Sequence, residues 1–188
     1  MAVAVAALLV LVGTVAVVAF FASPGPTEPH CGAPRKLTGP LAEVDTCDEA
    51  AVITAALSVM FSWDPSKDPS PAAAVERARP LITDQLWSAS QEPATNPLTS
   101  APYPAAPQAS EWEDWARNHQ RVVAAPEVVK RLPRLEEIVV HRSLVSDSGS
   151  SRELQPFTLT YAWGEIANDG WRFAGVTAPA NTSTESTR

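Results

Sequence analysis

The chain has 188 residues, 45% of them hydrophobic, and a formal net charge of -7. That length holds one domain plus an appendage. The acidic balance, with no basic stripe anywhere along it, excludes a nucleic-acid partner, because such a partner requires clustered Lys and Arg to displace counterions from phosphates.

Residues 1–23 predict a transmembrane anchor. The stretch 2–22, "AVAVAALLVLVGTVAVVAFFA", carries no charge and only Thr14 as a polar group, and a helix of that length spans roughly 30 Å of hydrocarbon. The competing reading is a cleaved signal peptide, which has a shorter apolar core and small residues one and three positions before the cut; here Phe20 and Phe21 precede Ala22. Arg35 and Lys36 lie on the far flank, against the positive-inside rule. The short N-terminal tail and a cysteine pair beyond the span favour a single-pass cell-membrane protein with its C-terminal domain outside the cytoplasm.

Residues 24–44 predict a linker, with Pro24, Pro26, Pro29, Pro34 and Pro40 preventing any regular element. Cys31 and Cys47 are the only cysteines, and an even count after a span fits a disulfide in an oxidising compartment. Free thiols are the alternative, as is a metal held by His30, Cys31, Cys47 and Asp48, although these lack the C-x-x-C spacing that presents two ligands to one ion. No metal or cofactor is expected.

The domain is expected over 45–178. Thr46 and Glu49 form a capping box that starts a helix, and Ile53, Leu57, Met60 and Phe61 recur on one face until Asp64-Pro65 stops it. Ser70-Pro71 starts a second helix that ends before Pro80. "TDQLWSAS" is a third, turning Leu86 and Trp87 inward. Then "QEPATNPLTSAPYPAAPQAS" forms a long proline loop, of the kind that is functional or poorly ordered. In "SEWEDWARNHQRV", Ser110 and Glu113 form another capping box, for a helix over 111–118 with Trp112 and Trp115 on one side.

From Arg121 the period becomes alternating. "RVVAAPEVV" is a strand interrupted by Pro126, and "LEEIVVHRSLV" is a second, ended by "SDSGSS". "FTLTYAW" places Phe157, Leu159, Tyr161 and Trp163 on one face and Thr158, Thr160 and Ala162 on the other. "NDG" makes a tight hairpin into "WRFAGVTA". Residues 179–188 predict a disordered tail. Helices followed by an antiparallel meander make an α+β fold.

The segment "SWDPSKDPSPAAAVERARPLIT", the W-x-x-W helix and the ending "NDGWRFAGV" resemble membrane-anchored proteins of the nuclear transport factor two-like, cystatin-like fold. Among these, the TcpC-like conjugation and secretion scaffold components of high-GC Gram-positive bacteria are similar. The resemblance implies a curved antiparallel sheet wrapping helices into a cone. It also implies a non-enzymatic scaffold or accessory subunit whose partners are other membrane-assembly proteins, with homo-oligomers possible.

Enzymes of that fold use a carboxylate or carboxylate-histidine pair inside the cone, for which Asp114, His119 and His141 are the residues present. Glu111, Glu113 and Asp114 are equally explained by the dipole of a helix first turn, and His119 by its last. Trp112, Trp115, Tyr161, Trp163 and Trp171 are either core that docks a helix on the sheet or the wall of a small-ligand pocket. No phosphate-loop, nucleophile-elbow or zincin motif occurs. The expected function is a non-enzymatic scaffold, with an extracytoplasmic small-ligand module or an isomerase- or dehydratase-like enzyme as alternatives.

Overall fold

The computed structural model describes residues 31–91, 107–132 and 135–177. The expected anchor at 2–22, the proline loop over 92–106 and the tail over 179–188 lie outside them. Among the described residues no helix is long and apolar enough to cross a membrane.

The spacer expected up to residue 44 is, from Cys31 onward, an arm folded back on the domain. It contains one 3-10 turn, Gly39–Leu41, where a proline was expected to forbid any element. Pro40 occupies the first turn, whose amides need no intrahelical partner. Leu37, Leu41 and Val44 pack against the core, and that burial holds the arm down.

Helix α1 spans Glu49–Met60 and buries Val52, Ile53, Ala56, Leu57 and Met60. Its cap is Asp48, whose Oδ1 accepts from the amides of Ala50 (2.9 Å) and Ala51 (3.2 Å). The expected Thr46–Glu49 box is therefore corrected, because both side chains make tertiary bonds instead. Thr46 Oγ1 accepts from the Arg35 amide at 3.0 Å, and Glu49 Oε1 accepts from the Gly164 amide at 2.9 Å. Helix α2 spans Ala72–Ala78 and α3 spans Asp84–Ser90. A 3-10 turn holding Pro80 separates them. Thr83 caps α3 and Leu86 is buried on it. Helix α4 spans Ala109–Arg117, two residues earlier than the Ser110–Glu113 box implies. Glu111 Oε2 accepts from the Gln108 amide at 3.0 Å and so fixes the start.

The four strands are β1 (Gln120–Leu132), β2 (Leu135–Ser146), β3 (Ser151–Ala167) and β4 (Gly170–Thr177). They form one antiparallel sheet in the order β1-β2-β3-β4. Pro126 does not interrupt β1 but pairs with Val140. An edge strand tolerates it because one side of its backbone needs no ladder donor.

Strand β3 also starts earlier than expected and includes Pro156. Val140 pairs with Phe157 while Arg142 pairs with Leu154, so Gln155 and Pro156 together face His141 in a bulge, where proline costs no ladder bond. A second shift lies between Thr160 and Ala162. It reverses the alternation, so Ala162 is fully buried beside Leu159, contrary to the outward position that strict alternation gives it.

One core joins α1 to Ile138, Val140, Leu159 and Phe173 of the sheet. Both sheet edges are partly covered, which limits edge-to-edge pairing. Trp63 exchanges backbone bonds with Val122 at 2.9 and 2.8 Å, and the Thr83 amide donates to Phe173 O at 3.0 Å.

Candidate functional site

The four tryptophans expected to form a wall or core sit in different places. Trp112 and Trp115 are half-buried on α4 and pack against the core. The Trp115 ring stacks on Trp63 at 6.4 Å and 14°. Trp171 also packs against the core, but near the arm, where its amide donates to Thr46 O at 2.7 Å. Trp163 lies over Gly175, where a Cβ would meet the ring at 3.0 Å. The side chain of Tyr161 lies outside the described residues.

Nor do the acid–base candidates meet inside the fold. Asp114 is exposed on α4 and pairs with Arg117 at 2.9 Å. His141 stands on the sheet face away from the core, since its neighbours Val140 and Arg142 are the buried ones. Its ring faces Glu127 (3.8 Å) and Glu153 (3.6 Å) across the strands. His119 has φ +50° and forms the left-handed turn that closes α4, a position more often held by Gly or Asn. Its role is conformational. Among the described residues no group of three or more His, Cys, Asp or Glu is placed to hold a metal ion.

Sequence reasoning missed two arginine features. Arg142 occupies the inward parity of β2 with Ile138, Val140 and Leu144, and is 9% exposed. Its guanidinium carbon lies 5.8 Å from the Trp63 ring centre and 5.1 Å from that of Phe157, at cation–π range. Burial pushes its pKa down. The signal was present: "IVVHRSLV" puts Arg142 in phase with three aliphatic residues.

The second is a cleft of about 680 Å³ lined by Arg35, Arg79, Pro80, Thr83, Asp84, Gln85, Glu165 and Arg172. Its floor is the β3–β4 hairpin, and the arm and α3 flank it. Arg172 grips Asp169 with two bonds of 2.8 Å each, the fork-to-fork geometry of strong guanidinium–carboxylate pairs. Arg79 pairs with Asp84 and lies 5.5 Å from the Trp87 ring centre.

Arg35 is less well served. Its Nη2 donates to Trp171 O at 3.3 Å, and its Nη1 reaches Asp169 only at 3.5 Å. Nε and Nη1 are buried without a hydrogen-bond acceptor. Burial, then the neighbouring Arg172 charge, push its pKa down, and Asp169 only partly opposes them. Asp169 is held below the usual carboxylate range, chiefly by its bonds from Arg172 and in part by the Arg35 charge. One carboxylate thus serves two guanidiniums.

The arm is what brings Arg35 here. The Arg35 amide donates to Asp169 O at 3.0 Å, and Cys31 is bonded to Cys47 with Cα atoms 5.4 Å apart. Gly32 and Gly170 permit the contact. A Cβ on Gly32 would lie 2.6 Å from Asn168 O, and one on Gly170 would lie 2.4 Å from Thr46 O.

No family model matches the chain, and no curated protein matches it. Among solved structures, that of the VirB8 protein of Agrobacterium tumefaciens is similar. The identity is 16% and the TM-score 0.41, over 68% of this chain and 89% of that one.

The three arginines of the cleft come from positions 35, 79 and 172, with no common motif or spacing. Only the folded chain assembles them. The cysteine pair, by contrast, was visible in the sequence as the only two thiols.

Proposed function

We propose that the chain is a single-pass, membrane-anchored scaffold or accessory subunit of a conjugation- or secretion-type assembly, with its domain outside the cytoplasm. The observation that carries this reading is the arm. It lies eight residues beyond the apolar stretch 2–22 in the sequence, and its disulfide belongs to an oxidising compartment. Its docking on the β3–β4 hairpin ties Cys31 to the domain. A cystatin-like cone is the fold we assign to the domain, supported by the bulges that bend β3 along the core. The scattered tryptophans give the small-ligand reading no single wall, and the dispersed Asp114 and His141 give acid–base catalysis no pair.

Crosslinking of the full chain in native membranes tests the proposal. A discrete multiprotein band is the expected result, and recovery of uncrosslinked monomer alone would sink the scaffold reading. Thiol alkylation in intact cells tests the location. Cys31 and Cys47 should resist labelling until reductant is added, and labelling without it would place the domain in a reducing compartment.

A further inference from the structure

We propose that the cleft walled by Arg35, Arg79 and Arg172 binds a carboxylate presented by an acidic segment of a partner protein, and that the Cys31–Cys47 disulfide holds Arg35 in that wall. This deepens the scaffold reading by naming the chemistry of the partner, and it rests on that reading.

The charge allocation carries the inference. Asp84 is committed to Arg79, and Asp169 is committed to Arg172 through both oxygens. Arg35 is left with a 3.5 Å contact to an oxygen already engaged and with two desolvated donor atoms that find no acceptor. Three guanidiniums face three carboxylates here, so it is unmatched donors rather than net charge that a ligand would answer. A second carboxylate entering the cleft gives the Arg35 fork the acceptor it lacks once the guanidinium turns toward the opening. The remaining acid, Glu165, is exposed at the rim and stands across the strands from Arg172. It opposes an incoming anion and so sets a sign that can be measured.

A cleft of about 680 Å³ open to solvent suits a short stretch of polypeptide. Arg35 reaches it only because the arm doubles back. The chain path from Cys31 to Cys47 is closed by the disulfide, and the arm is tied to the hairpin at Asp169 and at Thr46. Opening the disulfide frees the arm's first residues and weakens the hold on Arg35, while Arg79 and Arg172 stay in place on other elements.

The test uses the full chain in detergent micelles and a fluorescein-labelled pentaglutamate peptide, read by fluorescence anisotropy, with pentaglutamine as control. Binding of pentaglutamate alone is expected, weakening as salt rises. Arg35→Gln and Arg79→Gln should each weaken it at least about tenfold, the lower end of the scale for one hydrogen bond to a charged group. Glu165→Gln should tighten it, and Arg117→Gln on α4 should leave it unchanged. Arg79→Gln and Glu165→Gln do not touch the arm, so they decide the matter even if Arg35→Gln undocks it.

Equal binding of pentaglutamine, or no change in Arg79→Gln and Glu165→Gln, overturns the site. Competition by free glutarate at the concentration at which the peptide itself competes overturns the polypeptide source. In reduced protein the Arg35→Gln penalty should shrink to less than half, and an undiminished penalty overturns the role of the disulfide. The scaffold reading fails separately, by the absence of any crosslinked partner. A partner captured equally by wild type and Arg79→Gln overturns the cleft and leaves the scaffold standing.

Discussion

Gly170 carries more of the fold than its size suggests. Its φ is +117°, a region open to glycine and little else, and Thr46 occupies the space where a Cβ would project. Gly170→Ala is therefore expected to lose at least about 2 kcal/mol of stability through backbone strain and arm displacement together. Urea denaturation measures it, and an unchanged midpoint would mean that the arm does not dock on the hairpin. Asp169, one residue earlier, adds a pH dependence. Its pKa is depressed, so the unfolded chain binds the proton more readily and stability rises with pH across this window. The contribution is complete above the unfolded value of about 3.9 and is lost as pH falls through the lower folded value. Asp169 is 45% exposed on its side chain, so the effect is screened and amounts to about 1 kcal/mol at most. The stability gap between wild type and Asp169→Asn should thus exist at pH 7 and close as pH falls through the depressed folded value; a gap that persists in acid would remove the ion pairs as its cause.

Among the elements, caps show where sequence rules and structure part. Capping boxes are local patterns, and Thr46–Glu49 and Ser110–Glu113 both satisfy the pattern. At α1 the tertiary alternatives win, because Thr46 and Glu49 each reach a backbone amide on a distant segment. At α4 the box is realised by Glu111 one turn from Gln108. Asp48→Ala should cost about 1 kcal/mol, whereas Ser110→Ala, within the helix, should stay within about 0.5 kcal/mol of wild type. Thermal denaturation of both variants separates the assignments, and the reverse ranking would restore the sequence-based caps. The strands tell a similar story. Their existence and order are legible from alternation and from "NDG", but the face of Ala162 is not. A bulge adds one residue to one strand only, so it shifts parity without altering composition. Arg142 is the opposite case, legible by phase with Ile138, Val140 and Leu144 yet easily passed over because charge is expected to face outward. The arginine cleft was illegible for a third reason, since it depends on where residue 35 lands, which the disulfide and hairpin contacts decide.

For the molecule as a whole, the disulfide ties the arm to the start of α1. It closes a 16-residue separation, and in the chain-entropy model such a loop is worth about 3 kcal/mol. Replacing both cysteines by serine should lower the unfolding free energy by that order in guanidinium titration, and reductant should lower wild type to the same level. No difference would show that the arm contributes nothing to the folded state. The same bond also decides how the domain bears tension. A pull applied before Cys31 crosses through sulfur to Cys47 and enters the chain one residue before the Asp48 cap of α1, so the intervening chain, roughly 50 Å at full extension, carries no load. Arg35 lies within that slack segment, on a mechanical bypass. While the bridge is whole, the cleft keeps its shape as the domain is pulled, and it yields only when α1 itself gives way.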